Sequence, residues 1–158
     1  MFGPREMTSL VKELWIVLLG GGSLSNYKVS TVSGFVEGVD LQVLKKSLHY
    51  NVPNIICLAY GLRCFYPSYL KNLINIVENP NNLTFKYLLI SNKILVLYQF
   101  SPDQVAVKWT FSRSEELLSS VGSCTIVVEG DKKSGTLYTV NQALKENKKI
   151  FSVSGSLF

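Results

Sequence analysis

The sequence predicts an α/β fold with a doubly wound, mainly parallel sheet and helices on both faces. Apolar, β-rich runs alternate with helix-like runs along the chain. Several of the β-rich runs, such as NIICLA at 54–59, are continuously apolar, which is typical of strands that are covered on both faces. The chain has no internal repeat, low-complexity tract or long linker, so residues 1–158 are expected to form a single domain.

In the first half of the chain, helix-like runs predict helices at about Thr8–Leu19, Val39–His49 and Ser68–Glu78. The apolar runs between them predict strands at Lys28–Val32 and Asn54–Ala59. Segments rich in glycine, proline and asparagine separate these elements as turns: GGG at 20–22, SGFVEG at 33–38 and NPNN at 79–82.

In the second half, FKYLLI (85–90) and KILVLYQF (93–100) are two β-rich runs with Ser91 and Asn92 between them, which predicts a hairpin. SPDQ at 101–104 follows as a turn. Helices are predicted at Arg113–Val121 and Leu137–Asn147, and strands at Thr125–Val128 and Ile150–Val153.

Composition limits the class of protein. With 47% hydrophobic and 17% charged residues the chain is expected to be globular, and its net charge of +5 is compatible with nucleic acid or nucleotide ligands. Cys57 and Cys124 lie in apolar runs and are expected to be buried, and the scattered cysteines predict neither a metal site nor a disulfide. Because no apolar run is long enough to span a membrane and no signal peptide is recognised, we expect a cytoplasmic protein without a membrane partner or cofactor.

Glycine, hydroxyl and basic residues cluster in loops that follow strands, where parallel sheets bind their ligands. These loops are FGPRE at the start, SGFVEGVD at 33–40, AYGLRCFYP at 59–67 and EGDKKSGT at 129–136. The last loop opens a helix, and the free N–H groups and dipole of a helix start favour an anion. Each loop alone is also compatible with an ordinary turn. If the loops converge, they are expected to form a phosphate-binding edge.

Five segments, in order, resemble the DprA/Smf family of bacterial DNA-processing proteins. SGFVEGVDLQVLKKSL resembles the family's SGxAxGIDxxAHxxAL, FGPREMTSL its VGSRxxTxYG, and LAYGLRCFYPSYLKNL its VLGxGLDxxYPxxNxxL. WTFSRSEELLSSVGSCTIVVEG resembles FPxRNRIIAGLSDAVVVVEA, and KKSGTLYTVNQALKENKKIFSVSGS resembles xxSGSLxTAxxAxxxGRxVFAVPGS. Each motif is weak, but the ordered set is specific and covers nearly the whole chain.

The resemblance implies a Rossmann-like fold, usually dimeric, that binds single-stranded DNA in the cytoplasm and helps to load RecA recombinase onto it. It implies no catalytic residue, metal or cofactor. Single-strand binding without sequence preference needs backbone N–H groups and cations for the phosphates. Carried over position by position, the DNA- and phosphate-contacting candidates are Gly3, Arg5, Ser33, Gly34, Gly38, Arg113, Ser134, Gly135 and Thr136. Lys108 and Lys133 are basic neighbours with a less specific alignment, and each is also compatible with an ordinary solvated lysine.

The chain departs from the family pattern where the family carries FPxRNR. The corresponding residues read FSRSEE, so that Glu115 and Glu116 stand in place of asparagine and arginine. Two carboxylates near a phosphate would repel it, although they would also favour the start of a helix through its dipole. Arg63, in place of the family's aspartate, would compensate in part. A family member that has lost DNA binding and keeps a structural or interaction role is therefore the first alternative.

The start of the chain also departs from the family. The family's Gly-x-Arg loop follows the first strand, but only Met1 and Phe2 precede Gly3 here, and a strand normally takes about five residues. The first strand is therefore expected to be truncated, which would expose the edges of its neighbours. We expect a marginally stable monomer or a partner that covers the gap, and neither a winged-helix nor another flanking domain.

An enzyme is the second alternative, in the form of a nucleotide-binding hydrolase of the lysine-decarboxylase-like (phosphoribohydrolase) group. Those proteins carry PGGxGTxxE, whereas KSGTLYT at 133–139 has neither the double glycine nor the glutamate that acts as the general acid or base. A dinucleotide-binding enzyme would need GxGxxG after a strand, but Gly20–Gly22 follow a helix-like run. We therefore expect that the chain is not an enzyme.

Overall fold

A computed structural model describes residues 27–66, 68, 93–128 and 135–152 of the chain. Within these ranges the strands are β1 (Thr31–Ser33), β2 (Asn54–Cys57), β3 (Ile94–Leu97), β4 (Cys124–Val127) and β5 (Lys149–Ser152). The helices are α1 (Val39–His49), α2 (Lys108–Val121) and α3 (Gly135–Lys145).

The described strands form two parallel sheets. In the first, β2 lies between β1 and β3, with Asn54 opposite both Thr31 and Ile94. In the second, β4 pairs with β5, and Cys124 lies opposite Lys149. Parallel neighbours need a crossover connection, which α1 supplies between β1 and β2 and α3 between β4 and β5. The predicted α/β class with mainly parallel strands is therefore confirmed.

Helix α2 joins the two sheets. It packs against β1 and β2 of the first sheet and against α3, which packs in turn on β4 and β5. The main hydrophobic core lies on the first sheet. The loop after β1, helix α1, strands β2 and β3 and the segment that follows β2 contribute Phe35, Leu41, Leu44, Ile56, Leu58, Ala59, Tyr60 and Ile94. Because Phe111 of α2 packs against this cluster, the core fixes the position of α2 relative to the first sheet.

A polar network fixes the contact between β1 and β2. Asn54 is 1% exposed, and its amide donates to Thr31 Oγ1 at 2.7 Å and accepts from Ser33 Oγ at 3.2 Å. The hydroxyl of Thr31 also lies 2.7 Å from that of Ser47 on α1. Since buried polar groups need partners, this network favours one register of the two strands over a slipped one.

The limits of most elements agree with the sequence predictions, and α1 agrees at both ends. Helix α2 begins earlier than predicted, at Lys108 rather than Arg113. The backbone N–H of Val107 donates to Thr110 Oγ1 at 3.0 Å, which stabilises a helix start that no sequence pattern signals.

The KILVLYQF run forms β3, which pairs in parallel with β2. Its predicted hairpin partner, residues 85–90, lies outside the described residues. The predicted helices Thr8–Leu19 and Ser68–Glu78 and the truncated first strand also fall outside them, apart from residue 68.

One prediction about the cysteines was wrong. Cys57 is buried as expected, but Cys124 is exposed. The register of β4 and β5 places Cys124, Ile126, Lys149 and Phe151 on one face, which we call the open face. Helix α3 packs on these strands and the buried Val127 lies on the opposite face, so that Ile126 remains 44% and Phe151 53% exposed. None of the helices in the described residues is long and apolar enough to cross a membrane.

Candidate functional site

Two of the loops that the sequence singled out converge on α2. The first is the loop between β1 and α1, and a Cβ placed on Gly34 there would lie 3.7 Å from Leu118 of α2. The second is the start of α3, where a Cβ on Gly135 would lie 3.5 Å from Glu115 Oε1 of α2. Both loops follow the carboxyl end of a parallel strand, which is the edge where such sheets bind ligands.

The backbone of the first loop is held by an acidic side chain from α1. The carboxylate of Asp40 accepts hydrogen bonds from the backbone N–H groups of Gly34 and Val36. A Cβ on Gly34 would lie only 2.7 Å from Asp40 Oδ2, so glycine is required for this approach. Gly38, which precedes α1, has a φ of 106°, a conformation that side chains rarely adopt. The glycines of this segment therefore serve the turn around Asp40.

Burial raises the pKa of Asp40 to about 6, against the lowering effect of the two backbone hydrogen bonds. Ser33, the other candidate in this loop, is fully buried, and its hydroxyl donates to Asn54. The side chain of Ser33 therefore belongs to the β1–β2 contact. Only the backbone of Ser33 could contact a ligand at this loop.

The start of α3 is held by an acidic side chain from α2. The hydroxyl of Thr139 donates to Glu115 Oε2, while Glu115 Oε1 lies against Gly135. Burial raises the pKa of Glu115 to about 7, the hydrogen bond from Thr139 lowers it, and the charge of Asp40 raises it. Glu115 therefore titrates close to neutral pH, whereas an exposed glutamate titrates at a clearly lower pH.

A buried thiol shares this environment. Cys57 ends β2, and burial raises its pKa to about 11, with further contributions from the charges of Asp40 and Glu115. The two carboxylates and the thiol therefore lie near enough to repel one another's charge. Perturbed carboxylates are typical of catalytic sites as well. Here the Asp40 carboxylate accepts hydrogen bonds from backbone amides, and the Glu115 carboxylate accepts one from Thr139. Both carboxylates therefore have a structural role.

Arg113 on α2 is an exposed cation of this region. Its guanidinium lies 2.6 Å from Glu116 Oε2, and Glu116 also accepts a hydrogen bond from the hydroxyl of Tyr138 at 2.7 Å. The hydrogen bonds from Tyr138 and then Arg113 lower the pKa of Glu116. Because exposed ion pairs contribute little free energy, Arg113 can exchange Glu116 for another anion at small cost.

Arg63 does not compensate directly for the two glutamates. It follows β2, and its guanidinium donates to both carboxylate oxygens of Asp103, at 3.2 and 3.1 Å. Both side chains are largely exposed, so this pair links the loop after β2 to the loop after β3 at the surface.

Sequence reasoning missed an aromatic surface at the same edge. Trp109, in the first turn of α2, is 56% exposed, and its ring meets Phe100 edge to face with centroids 5.7 Å apart. Tyr66, which is also exposed, makes a similar contact with Phe111 at 6.1 Å. A single aromatic residue next to apolar runs resembles a core residue in sequence. The only sequence signal of an exposed Trp109 was its position between the end of a strand and the start of a helix.

The other candidates are distributed as follows. Lys108 is exposed at the first residue of α2, and Thr136 is partly buried at the second residue of α3. Gly3, Arg5, Lys133 and Ser134 lie outside the described residues. In the part of the chain that the structure describes, no group of three or more His, Cys, Asp or Glu side chains is placed to hold a metal ion.

The whole chain, residues 1–158, matches the family described as DNA recombination-mediator protein A. It is 31% identical over 161 residues to the DNA processing protein DprA of Bacillus subtilis, which covers 99% of this chain and 45% of that protein. It is 26% identical to DprA of Streptococcus pneumoniae, over 80% of this chain and 40% of that protein. With protein Smf of Escherichia coli it shares 24% identity, over 85% of this chain and 33% of that protein.

Two solved structures share the fold. DprA from Streptococcus pneumoniae superposes with a TM-score of 0.75 at 25% identity, covering 98% of this chain and 49% of that chain. DprA from Helicobacter pylori superposes with a TM-score of 0.69 at 23% identity, covering 96% of this chain and 62% of that chain. The chain thus spans less than half the length of the curated relatives it matches. Its ordered motifs, its Rossmann-like fold and these matches show that the chain belongs to the DprA/Smf family of DNA-processing proteins.

Proposed function

We propose that this domain binds single-stranded DNA along the edge formed by the start of α3, the loop after β1 and the first turns of α2. The observation that carries the proposal is that α2 contacts both glycine loops and also carries an exposed aromatic ring, Trp109, and an exposed cation, Arg113, in its first two turns. The solved relative from Helicobacter pylori is described with a single-stranded DNA binding mode, which supports this ligand for the family.

Phosphates would be bound by backbone amides and cations. Helix α3 begins at Gly135, and its positive dipole end would attract a phosphate there. We assign Ser134, which precedes Gly135 in sequence, to the same role by family resemblance. Arg113 and Lys108 lie on the neighbouring helix, and we assign Arg5, Gly3 and Lys133 to the same role by family resemblance. Each phosphate that a cation neutralises releases counterions, so binding of this kind weakens steeply with salt.

Bases would be bound by stacking. Trp109 and Arg113 are one helical turn apart on α2, so that a base on the ring and its phosphate on the guanidinium are compatible with one strand. Phe100 supports the indole edge to face. Stacking on an aromatic side chain contributes about 1–3 kcal/mol per base and tolerates any sequence. We therefore propose binding without sequence preference and without catalysis.

Two protein partners complete the proposal. By family resemblance the first partner is RecA recombinase, which this protein would help to load onto the bound strand. A homodimer is the second partner, and the open face offers it an apolar surface in Ile126 and Phe151, which lie side by side across β4 and β5. We place the protein in the cytoplasm, where both partners and single-stranded DNA occur.

The test is the affinity for a fluorescent oligothymidylate across a salt series, measured by anisotropy. Arg113→Ala should weaken binding several-fold and reduce the slope of log affinity against log salt by about 0.7, the effect of one phosphate contact on a single strand. Lys28→Ala is the matched control, because Lys28 is an exposed cation just before the amino end of β1, and it should leave the affinity nearly unchanged. A folded wild type that does not bind at low salt would contradict the proposal.

A second candidate function is an interaction role without DNA. It is favoured by the pairing of Glu116 with Arg113, which neutralises the exposed cation, and by the open face. In that case the wild type would fail to bind oligothymidylate but would sediment as a dimer. Phe151→Ser should then dissociate the dimer, whereas Leu62→Ser, at an exposed site in the loop after β2, should not.

A further inference from the structure

We propose that Tyr138 holds the carboxylate of Glu116 beside Arg113, and that this carboxylate limits the affinity of the edge for single-stranded DNA. Tyr138 is then a positioning residue that acts through Glu116. The inference rests on the proposed function and extends it from the identity of the ligand to the residues that set its affinity.

Both oxygens of the Glu116 carboxylate have a partner. Glu116 Oε2 lies 2.6 Å from the guanidinium of Arg113, three residues earlier on α2. Glu116 Oε1 accepts a hydrogen bond from the hydroxyl of Tyr138 on α3 at 2.7 Å. The carboxylate is therefore anchored from a second helix while it faces the cation on its own helix.

The anchor from α3 changes what the ion pair does. An exposed pair three residues apart on one helix is weak, and alone it would let either side chain turn away. The Arg113 side chain is 62% exposed, whereas that of Glu116 is 31% exposed and is bonded to α3. When the guanidinium turns to a phosphate, the hydroxyl of Tyr138 therefore retains the carboxylate nearby.

A retained carboxylate opposes the binding of a phosphate. A phosphodiester on Arg113 would lie a few ångströms from Glu116, and two like charges at that separation near a protein surface repel each other appreciably. The edge can therefore bind a strand, but with a lower affinity than the same cation would give without Glu116.

The pKa shifts of the two groups agree with their hydrogen bond. The bond to Glu116 is the largest cause that raises the pKa of Tyr138, and the bond from Tyr138 is the largest cause that lowers the pKa of Glu116. A glutamate with a lowered pKa stays ionised throughout the neutral range. The carboxylate therefore opposes a phosphate under all ordinary binding conditions.

The contact is a property of this chain and not of the pattern it resembles. The family pattern carries arginine at the position of Glu116 and no fixed residue at the position of Tyr138. The chain thus has an acidic residue in place of a basic one, and a tyrosine on the neighbouring helix that bonds to it.

The first measurement is oligothymidylate affinity for the wild type, Glu116→Gln and Glu146→Gln. Glu116→Gln keeps an oxygen that can accept from Tyr138 but removes the charge, and we expect it to bind about five- to tenfold more tightly. Glu146→Gln is the matched control, because Glu146 also pairs with a cation, Lys148, but follows the last residue of α3, remote from Gly135. At about 0.1 M salt, where charges beyond about 10 Å are screened, it should change the affinity by less than about twofold.

A second comparison tests the role of Tyr138. Tyr138→Phe leaves the charge of Glu116 but removes its anchor, so it should tighten binding by about two- to threefold, part of the effect of removing the charge. In the Glu116→Gln background the same substitution should have no further effect. If Tyr138→Phe changes the affinity equally in both backgrounds, its hydroxyl acts independently of Glu116 and the inference is overturned.

The outcomes separate this inference from the proposed function. If the wild type binds and Glu116→Gln binds no more tightly than Glu146→Gln, the inference fails and the proposed function stands. If the wild type does not bind even at low salt but Glu116→Gln does, the inference is upheld and the proposed function fails for the wild type. If neither binds, Glu116 is not what limits the affinity, and both fail.

A third measurement does not depend on DNA. An NMR titration of ¹³C-labelled tyrosine, with Tyr138→Phe to identify the resonance, should show that the pKa of Tyr138 falls toward its ordinary value in Glu116→Gln and stays raised in Glu146→Gln. An unchanged pKa of Tyr138 in Glu116→Gln would mean that its hydroxyl does not hold the carboxylate, and the inference would be overturned.

Discussion

The hydroxyl of Thr139 in α3 donates a hydrogen bond to the carboxylate of Glu115 in α2, and this bond lies at the point where the two helices meet. The same carboxylate is enclosed enough for burial to raise its pKa to about 7. The contact between α2 and α3 thus contains a charge that is costly to bury and one hydroxyl that reduces the cost. Helix α2 also packs on the first sheet and α3 on the second, so this hydrogen bond contributes to the packing that connects the two sheets.

Thr139→Val should reveal how much that hydroxyl contributes. The variant keeps the volume and leaves the Glu115 carboxylate without its donor, so we expect a loss of about 1–3 kcal/mol in the free energy of unfolding at pH 8. The control is Ser120→Ala, whose exposed hydroxyl donates to the carbonyl of Leu117 and whose loss should cost about 0.5 kcal/mol or less. Urea denaturation of both variants measures the difference. Equal, small losses in the two variants would mean that the hydrogen bond makes no net contribution to the free energy of unfolding.

Stability should rise as the pH falls from about 8 to 5. The pKa values of Glu115 and Asp40 are raised to about 7 and about 6 from ordinary values of 4.5 and 3.8, so the folded state holds protons that the unfolded state has released. Burying the two ionised groups costs stability above their folded pKa values, and protonation removes that cost, by an amount on the order of a few kcal/mol. Urea midpoints across this range should increase, and Glu115→Gln should flatten the upper part of the curve.

At lower pH the sign should reverse. The pKa values of Glu116 and Glu146 are lowered by their partners, first Tyr138 and first Lys148 respectively. These interactions stabilise the fold above the ordinary pKa of 4.5 and are lost as the pH falls through the lower, folded pKa values. The profile should therefore have a maximum near pH 5. A profile that declines steadily from pH 8 to pH 5 would contradict the environment assigned to Glu115 and Asp40.

Gly61→Ala should be one of the most damaging small substitutions. A Cβ on Gly61 would lie 2.1 Å from the carbonyl oxygen of Ser101 and 2.3 Å from that of Pro102, and backbone cannot give way as a side chain can. We expect a loss of about 3 kcal/mol or more. Gly122→Ala is the control, because the nearest atom is 3.4 Å away and the φ of −73° suits alanine. Thermal unfolding of the two variants should differ clearly, and equal melting temperatures would disprove the close contact.

Asn54→Leu should destabilise the β1–β2 contact. The side chain keeps its approximate volume but no longer satisfies the hydroxyls of Thr31 and Ser33, so we expect a loss of about 2–4 kcal/mol. Ser33→Ala removes only one of the bonds and should cost about 1 kcal/mol. Chemical denaturation of both variants compares them, and a Ser33→Ala variant as unstable as Asn54→Leu would contradict the central role of Asn54.

The sequence predicted the fold because the elements that define it have local signals. The limits of α1 follow from Gly38 at its start and from apolar residues on one helical face, including Leu41 and Leu44, which are buried in the core. The start of α2 had no such signal, since it depends on the bond between Val107 and Thr110. The exposure of Cys124 depends on which face of the second sheet α3 covers, and an apolar run does not encode that choice.

The candidate site was predictable in outline only. The sequence identified the loops and the two glutamates as the chain's departure from its family, but not their different environments. Glu115 and Glu116 are separated by about 100° around the helix. Glu115 therefore turns to α3 and Thr139, whereas Glu116 turns to Arg113 at the surface. Which of the two would be enclosed depends on how α2 packs against α3, and this is a tertiary contact.

The fluorescence of Trp109 in the presence of oligothymidylate tests whether single-stranded DNA binds at the edge that carries this ring. The chain has two tryptophans, so Trp15→Phe leaves Trp109 as the only indole. We expect saturable quenching of its emission with an affinity equal to that measured by anisotropy, reversed by salt, because bases stack on an exposed aromatic ring at this edge. Oligothymidylate that binds by anisotropy but leaves Trp109 unchanged, or that does not bind at low salt, would contradict the central claim.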